Sequence, residues 1–356
     1  MAPDASIPSR SSAIDLLKGL AIVSVICLHT FSVGTLHTIG AHFHIWQAVP
    51  VFLFLMGLNA ASSLRRRGGR TLRELYSGDY LTGRFDRVFV PFLIAFLITL
   101  ALAILTHTPH SSGAKLLGEP IVGLFPIDGP GNYFVTLLFE FVVAFPLIFW
   151  GLRRWPVPTL LLCLALNGAF EALAHRLGFF AANPYADASS LLRFLFLVAL
   201  GGFCAAIPTR RALGSPWLWG GVLLSVAYLA LLEADSPALT AADGSQPGYN
   251  LLTACYAACL VLLGIAFLPV LADRPGVRLG SVLGRASYHI FLVQIAWFGL
   301  AVWTAHSLLA LLGNLAVTLS LGVAFYELMA RAPLPTASGL LARRRAPPAE
   351  AQKVGA

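Results

Sequence analysis

Residues 13–33 read AIDLLKGLAIVSVICLHTFSV, a run long enough to cross a ~30 Å hydrocarbon core as a helix. Lys18 and His29 stand eleven residues apart in it. Eleven steps of about 100° bring the second residue to nearly the face of the first, ~16 Å further along the axis. The stretch therefore predicts one transmembrane helix with an ammonium near one surface and an imidazole deep toward the other. Ionisable side chains at such depth are expensive and by default functional.

The rest of the chain is of the same kind. Of 356 residues, 58% are hydrophobic and 11% charged, against about 25% charged in a soluble domain, and mean hydropathy is +0.79. Ten apolar segments follow one another at roughly 13–33, 46–64, 87–106, 132–151, 156–177, 191–208, 216–233, 250–271, 286–305 and 308–330, parted by Gly, Pro, Asp and basic clusters. The expected fold is all-α: a polytopic membrane helix bundle of about ten transmembrane helices. Three parts are expected: a cytoplasmic segment 1–12, one transmembrane domain 13–331, and a disordered basic Pro/Ala tail 332–356. The last two spans are parted only by a tight connection near His306.

The net charge of +8 does not indicate nucleic acid, because the cations sit in short loops between apolar spans. With the N-terminus in the cytoplasm, all 24 lysines and arginines except Lys115, Arg176 and Arg193 fall on the cytoplasmic side. That asymmetry predicts both termini inside and a multi-pass protein integral to the cell (inner) membrane. The five cysteines all lie in apolar stretches without a CxxC pair, so neither disulfides nor a thiolate metal site is expected. No cleavable signal peptide and no internal repeat is evident.

Several residues can carry chemistry. His29 is either satisfied structurally within the bundle or acts as a general base or nucleophile. Arg84 and Arg87, three apart at the expected N-terminus of the third span, can grip phosphates or simply anchor that span. Lys18 can join them, snorkel, or pair with Asp15. Glu140, in the fourth span, can orient His29 or line an acceptor site, or make a structural hydrogen bond. Asn132 and Tyr133, at the outer start of that span, can contact a sugar. Glu171 and His175 suit a local pair. His37, His42 and His44 loosely resemble a metal tract, but no acidic or thiol residue accompanies them in the sequence, and no metal is expected.

Taken together, Ala13–Ile22 with Lys18 and His29 resemble the first helix of the acyltransferase-3 family, membrane acyltransferases that modify sugars and glycolipids; the family pattern is a basic residue, ten positions, then histidine. The family's Arg-x-x-Arg matches Arg84 and Arg87, followed by Pro91. Val49-Pro50-Val51-Phe52-Leu53-Phe54-Leu55-Met56-Gly57 is similar to its Pro-x-Phe helix, with Met56 where serine is usual. Asn132-Tyr133-Phe134 with Pro146 is similar to its Trp-Phe span, with Tyr133 for tryptophan. Leu283-Gly284-Arg285-Ala286-Ser287-Tyr288 resembles its penultimate helix entry, where Gln294 takes the place of a late histidine. Phe325-Tyr326-Glu327 and Pro333 suit its closing helix.

The resemblance implies a catalytic His29 and an acyl-donor site at Lys18, Arg84 and Arg87, with Glu140, Tyr133, Asn132 and Gln294 as supporting or acceptor-side candidates. The implied reaction moves an acetyl or short acyl group from cytoplasmic acetyl-CoA or another acyl-CoA to a hydroxyl of an extracytoplasmic polysaccharide, glycolipid or related glycoconjugate. Acyl-CoA is then a co-substrate, and no tightly bound cofactor is expected. The partners are acyl-CoA, the glycan acceptor and the bilayer; oligomeric state is open. Two other classes stay open on the residues alone: a multi-span secondary transporter of a small anionic or sugar-like substrate, and a membrane assembly factor without chemistry.

Overall fold

The computed structural model describes residues 12–174, 176–177, 179–180, 183–234, 250–271, 274–300 and 307–331. Residues 1–11 of the expected N-terminal segment, His175, His306 and the tail lie outside the described residues. Ten principal helices carry the fold: α1 (Ser12–Thr30), α2 (Ala48–Arg67), α3 (Val90–Leu105), α4 (Tyr133–Arg154), α5 (Pro156–Ala174), α6 (Leu195–Cys204), α7 (Pro216–Glu233), α8 (Ala254–Phe267), α9 (Pro275–Gly299) and α10 (Leu308–Arg331). Among the described residues there is no strand.

Eight helical segments are long and apolar enough to cross a membrane. The two principal helices not among them are α6 and α9. The first is short: with the turn before it, it spans only Leu191–Cys204. The second has 25 residues, but Arg285, His289 and Gln294 dilute its apolar character. Two of them turn inward: the Gln294 side chain is fully buried, and both His289 ring nitrogens are buried among Tyr288, Phe325 and Tyr326.

Lipid tails compete equally for apolar side chains, so helices in a bilayer associate through close backbone approach at small residues. Two such seams build this bundle. Along α1 and α9, Gly19 lies against the backbone of Gly280 and Gly284, and Gly284 against the backbone of Asp15. Along α2 and α6, Gly57 meets the Val198 carbonyl and Gly201 meets that of Phe54. Phe54, Phe92, Phe141, Phe145 and Phe149 fill the space between the seams and are fully buried. Leu97, Ile98, Leu161, Leu162, Leu223 and Leu224 point outward and are more than half exposed, which suits a lipid-facing surface.

Prolines set the local irregularities. Pro146 in α4 has no N–H to offer the Val142 carbonyl one turn back, and the Tyr80 hydroxyl donates to that oxygen instead at 2.9 Å. Pro91 stands in the first turn of α3 and likewise cannot bond the carbonyl of Arg87. The preceding residues Phe85–Phe89 form a π-turn, in which the Val90 N–H reaches back to the Phe85 carbonyl. A helix Gly78–Arg84 runs into this turn. Arg84 and Arg87 thus lie inside a continuous helical run and not at a helix N-terminus, contrary to the sequence expectation. What they offer a ligand is therefore their side chains, without the free N–H groups of a helix N-terminus.

Candidate functional site

Lys18 and His29 line two different cavities on one side of α1. The first, about 460 Å³, has Lys18, Arg66, Arg84, Arg87 and Arg285 in its wall, with Asn59, Ser63 and Tyr288, and no carboxylate. Three of the five cations have a defined neighbour. Lys18 Nζ is 3.6 Å from Asp15 Oδ1, the Arg84 guanidinium lies over the Tyr80 ring at 5.4 Å, and Arg87 Nε donates to the Gly83 carbonyl at 2.7 Å. The Tyr288 hydroxyl donates to the Val88 carbonyl at 2.8 Å, which ties α9 to the π-turn. Five like charges around one concavity repel one another unless a polyanion enters.

The second cavity, about 290 Å³, is lined by His29, Tyr133, Asn132, Tyr185 and the loop Asp128–Gly131. Among the described residues nothing hydrogen-bonds the His29 ring; its neighbour is Phe298, edge-on at 6.0 Å. The imidazole is thus available to a ligand. Val25, Val49, Phe134 and Phe291 belong to both cavities and form an apolar collar between the cationic end and His29. Beyond His29, Asp128, Asn132 and Tyr185 are shared with a third, wider cavity of about 720 Å³. That cavity continues past His110, Ser111, Ser112, Lys115 and Glu119. Desolvation pushes the Tyr185 phenol up, so it offers a neutral O–H, which meets Thr136 Oγ1 at 3.1 Å.

The sequence candidates separate on this geometry. Lys18, Arg84 and Arg87 share the first cavity, while His29, Tyr133 and Asn132 share the second. Asn132 also shapes the loop: its Oδ1 accepts the Phe125 N–H at 2.9 Å. Gln294 lines neither cavity and braces the same loop from below, donating to the Pro130 carbonyl at 3.2 Å. Glu140 is not in the wall of the His29 cavity; its carboxylate accepts the Leu191 N–H at 2.7 Å and so caps the turn before α6. Glu171 accepts from Asn167 Nδ2 and from the Leu251 N–H, both at 2.9 Å.

Arg66, Arg285, Asp128 and Tyr185 are functional candidates that sequence reasoning passed over. Arg66 and Arg285 registered there only as topology charges, although Arg285 lies within the quoted 283–288 motif. The histidines of the loop after α1 are also not without an acidic neighbour. Glu233, at the end of α7, lies 2.5 Å from His42 Nδ1, a contact 191 residues apart in sequence that no local spacing reveals.

The cavities thus follow one another, with cations at one end and, midway, an imidazole that has no hydrogen-bond partner among the described residues. A family model described as an acyltransferase domain, that of the acyltransferase-3 family, matches residues 11–327. The chain belongs to the acyltransferase-3 family. The match takes in nine of the ten principal helices and most of the tenth, so the acyltransferase-3 domain is nearly the whole chain, and Lys18, His29, Arg84 and Arg87 all lie within it. Neither a curated protein nor a solved structure matches the chain.

Proposed function

We propose that this acyltransferase-3 protein moves an acetyl or other short acyl group from acyl-CoA to a hydroxyl of an extracytoplasmic glycan or glycolipid, with His29 between the two. The observation that carries the reading is the division of one helix between two abutting cavities, cations in the first and His29 in the second. With ten spans and both termini in the cytoplasm, the cationic cavity opens to the cell interior, where acyl-CoA is found. Its phosphates pair with Lys18, Arg66, Arg84, Arg87 and Arg285. The thin pantetheine arm threads the collar of Val25, Val49, Phe134 and Phe291, and the thioester arrives beside His29, ~16 Å along the helix.

The acceptor hydroxyl enters from the wide cavity, past Asp128, Asn132 and Tyr185. His29 takes the hydroxyl proton as the oxygen attacks the thioester carbonyl. The C–S bond then breaks, and the imidazolium returns the proton to the departing thiolate. A transporter would need no thioester and no base, and family membership does not favour it.

Two measurements test this route with purified protein, radiolabelled acetyl-CoA and an acceptor glycan. Arg84→Glu removes one charged hydrogen bond, ~1.5–3 kcal/mol, and adds repulsion. The KM for acetyl-CoA is expected to rise about tenfold or more, most at low salt, with acceptor KM unchanged. A change in acceptor KM alone would put the donor at the other end. Val49→Trp fills the collar: transfer is expected to vanish while acetyl-CoA still binds, as read by calorimetry. Full transfer in that variant would show that the acyl group travels by another path, and substrate flux into sealed vesicles without acyl-CoA would support a transporter.

A further inference from the structure

His37, His42 and Glu233 converge at the loop end of the bundle nearest His29. His37 lies in the last turn of the short helix Val33–Thr38, which follows α1 almost directly. His42 lies in the 3-10 turn Ala41–Phe43, and Glu233 is the last residue of α7. One ligand atom from each lies within 4.8 Å of the others. His42 Nδ1 is 2.5 Å from Glu233 Oε2, and His37 Nδ1 is 3.8 Å from Glu233 Oε1. Donor atoms around a tetrahedral ion with bonds of about 2.0–2.2 Å lie roughly 3.3 Å apart. A slight opening of one pair and closing of the other therefore accommodates an ion.

The scaffold around these side chains is rigid. Gly40 turns the chain with φ 62°, a left-handed conformation that suits glycine. Gln47 Nε2 donates to the His42 carbonyl at 2.7 Å, and the Tyr256 hydroxyl to the Phe43 carbonyl at 2.9 Å. Trp46 packs on the His42 ring with centroids 3.8 Å apart. Beneath them Tyr228, Leu229 and Leu232 of α7 pack with Phe43 and Tyr256, which fixes Glu233 relative to the loop.

The charges also call for a cation. Glu233 stands at a helix C-terminus, where the unsatisfied carbonyls already carry partial negative charge and disfavour a carboxylate. His42 is only 3% exposed, which holds its ring beside the Glu233 carboxylate. A divalent ion bound by the two imidazoles and the carboxylate balances that negative end. Two nitrogens and one oxygen select the zinc class over calcium or magnesium, which prefer all-oxygen shells.

We propose that His37, His42 and Glu233 form a divalent transition-metal site of the zinc class, which clamps the segment after α1 to the end of α7. The site is separate from the cavities of the transfer route, and its test does not depend on acyl transfer. Untagged full-length protein in detergent is titrated with Zn²⁺ by calorimetry, and with Co²⁺ by visible absorption. Wild type is expected to bind one ion per chain in the micromolar range or tighter, with a tetrahedral cobalt spectrum and a raised unfolding temperature.

Loss of an outer partner of a metal site weakens binding by about 10–100-fold, so loss of a ligand is expected to weaken it by at least about 100-fold. His37→Ala and Glu233→Gln are the informative variants, because neither side chain is fully buried and Gln keeps the volume and a hydrogen bond. Both are expected to lose the zinc-dependent rise in unfolding temperature and the cobalt spectrum. Zinc binding in Glu233→Gln equal to wild type would place any bound ion elsewhere, and no saturable binding by wild type would reduce the cluster to a hydrogen-bonded pair. Either result overturns the proposal.

Discussion

His29→Ala is expected to lower acyl transfer by roughly 10²–10⁴-fold, the usual contribution of a positioned general base. The ring makes no hydrogen bond among the described residues, and its neighbour Phe298 contacts it only edge-on. Truncation therefore removes little that holds the bundle together, and the unfolding temperature and elution profile should match wild type. Acetyl-CoA binding should also survive, because the five cations lie in the adjoining cavity and His29 is not in its wall. Loss of turnover with donor affinity intact is the signature of a group acting at the reacting atoms. His29→Gln, which keeps hydrogen bonding but takes up no proton near neutrality, should be as inactive as alanine. Undiminished transfer in either variant would remove His29 from the chemistry.

Gly284→Leu is expected to prevent the bundle from assembling. A Cβ at Gly284 would overlap the Asp15 carbonyl oxygen and come within 2.9 Å of the Asp15 Cα. These are backbone atoms of α1 and cannot swing aside as a side chain can. Overpacking relieved by side-chain movement is typically worth about 1–3 kcal/mol, and forcing two helices apart along a whole seam exceeds that, against a total stability of about 5–15 kcal/mol. The same crossing brings Lys18 on α1 and Arg285 on α9 to one cavity, so any folded remainder should also bind acetyl-CoA poorly. Size-exclusion chromatography should show aggregated or absent Gly284→Leu. Gly276→Ala in the same helix, where a Cβ meets nothing within 4 Å, should behave as wild type. A monodisperse, active Gly284→Leu protein would show that α1 and α9 do not cross there.

Part of the candidate site was legible before any coordinates. The face shared by Lys18 and His29 follows from the helical period, and the structure keeps both in one helix. Arg84 and Arg87 stand in one short run and reach one cavity, although the π-turn ahead of Pro91 changes the backbone that presents them. Glu140 and Gln294 show the limit. A carboxylate and an amide in apolar helices advertise a partner without naming it; the partners are the Leu191 N–H and the Pro130 carbonyl, 51 and 164 residues away. Arg66 and Arg285 escaped for a related reason, since a basic residue beside a span reads as a topology signal until its cavity is known.

Hydropathy and helical period are properties of one segment in its solvent. The sequence by itself therefore determined a membrane bundle, its principal helices, and the placement of an ammonium and an imidazole on one face of the first. Which faces meet depends on where backbones can approach closely, at Gly19, Gly57, Gly201 and Gly284. It also depends on how loops far apart in the chain fold back together. Only the tertiary structure decided that five cations share a cavity, that an apolar collar stands between them and His29, and that Glu233 meets two histidines near the other end of the first chain segment.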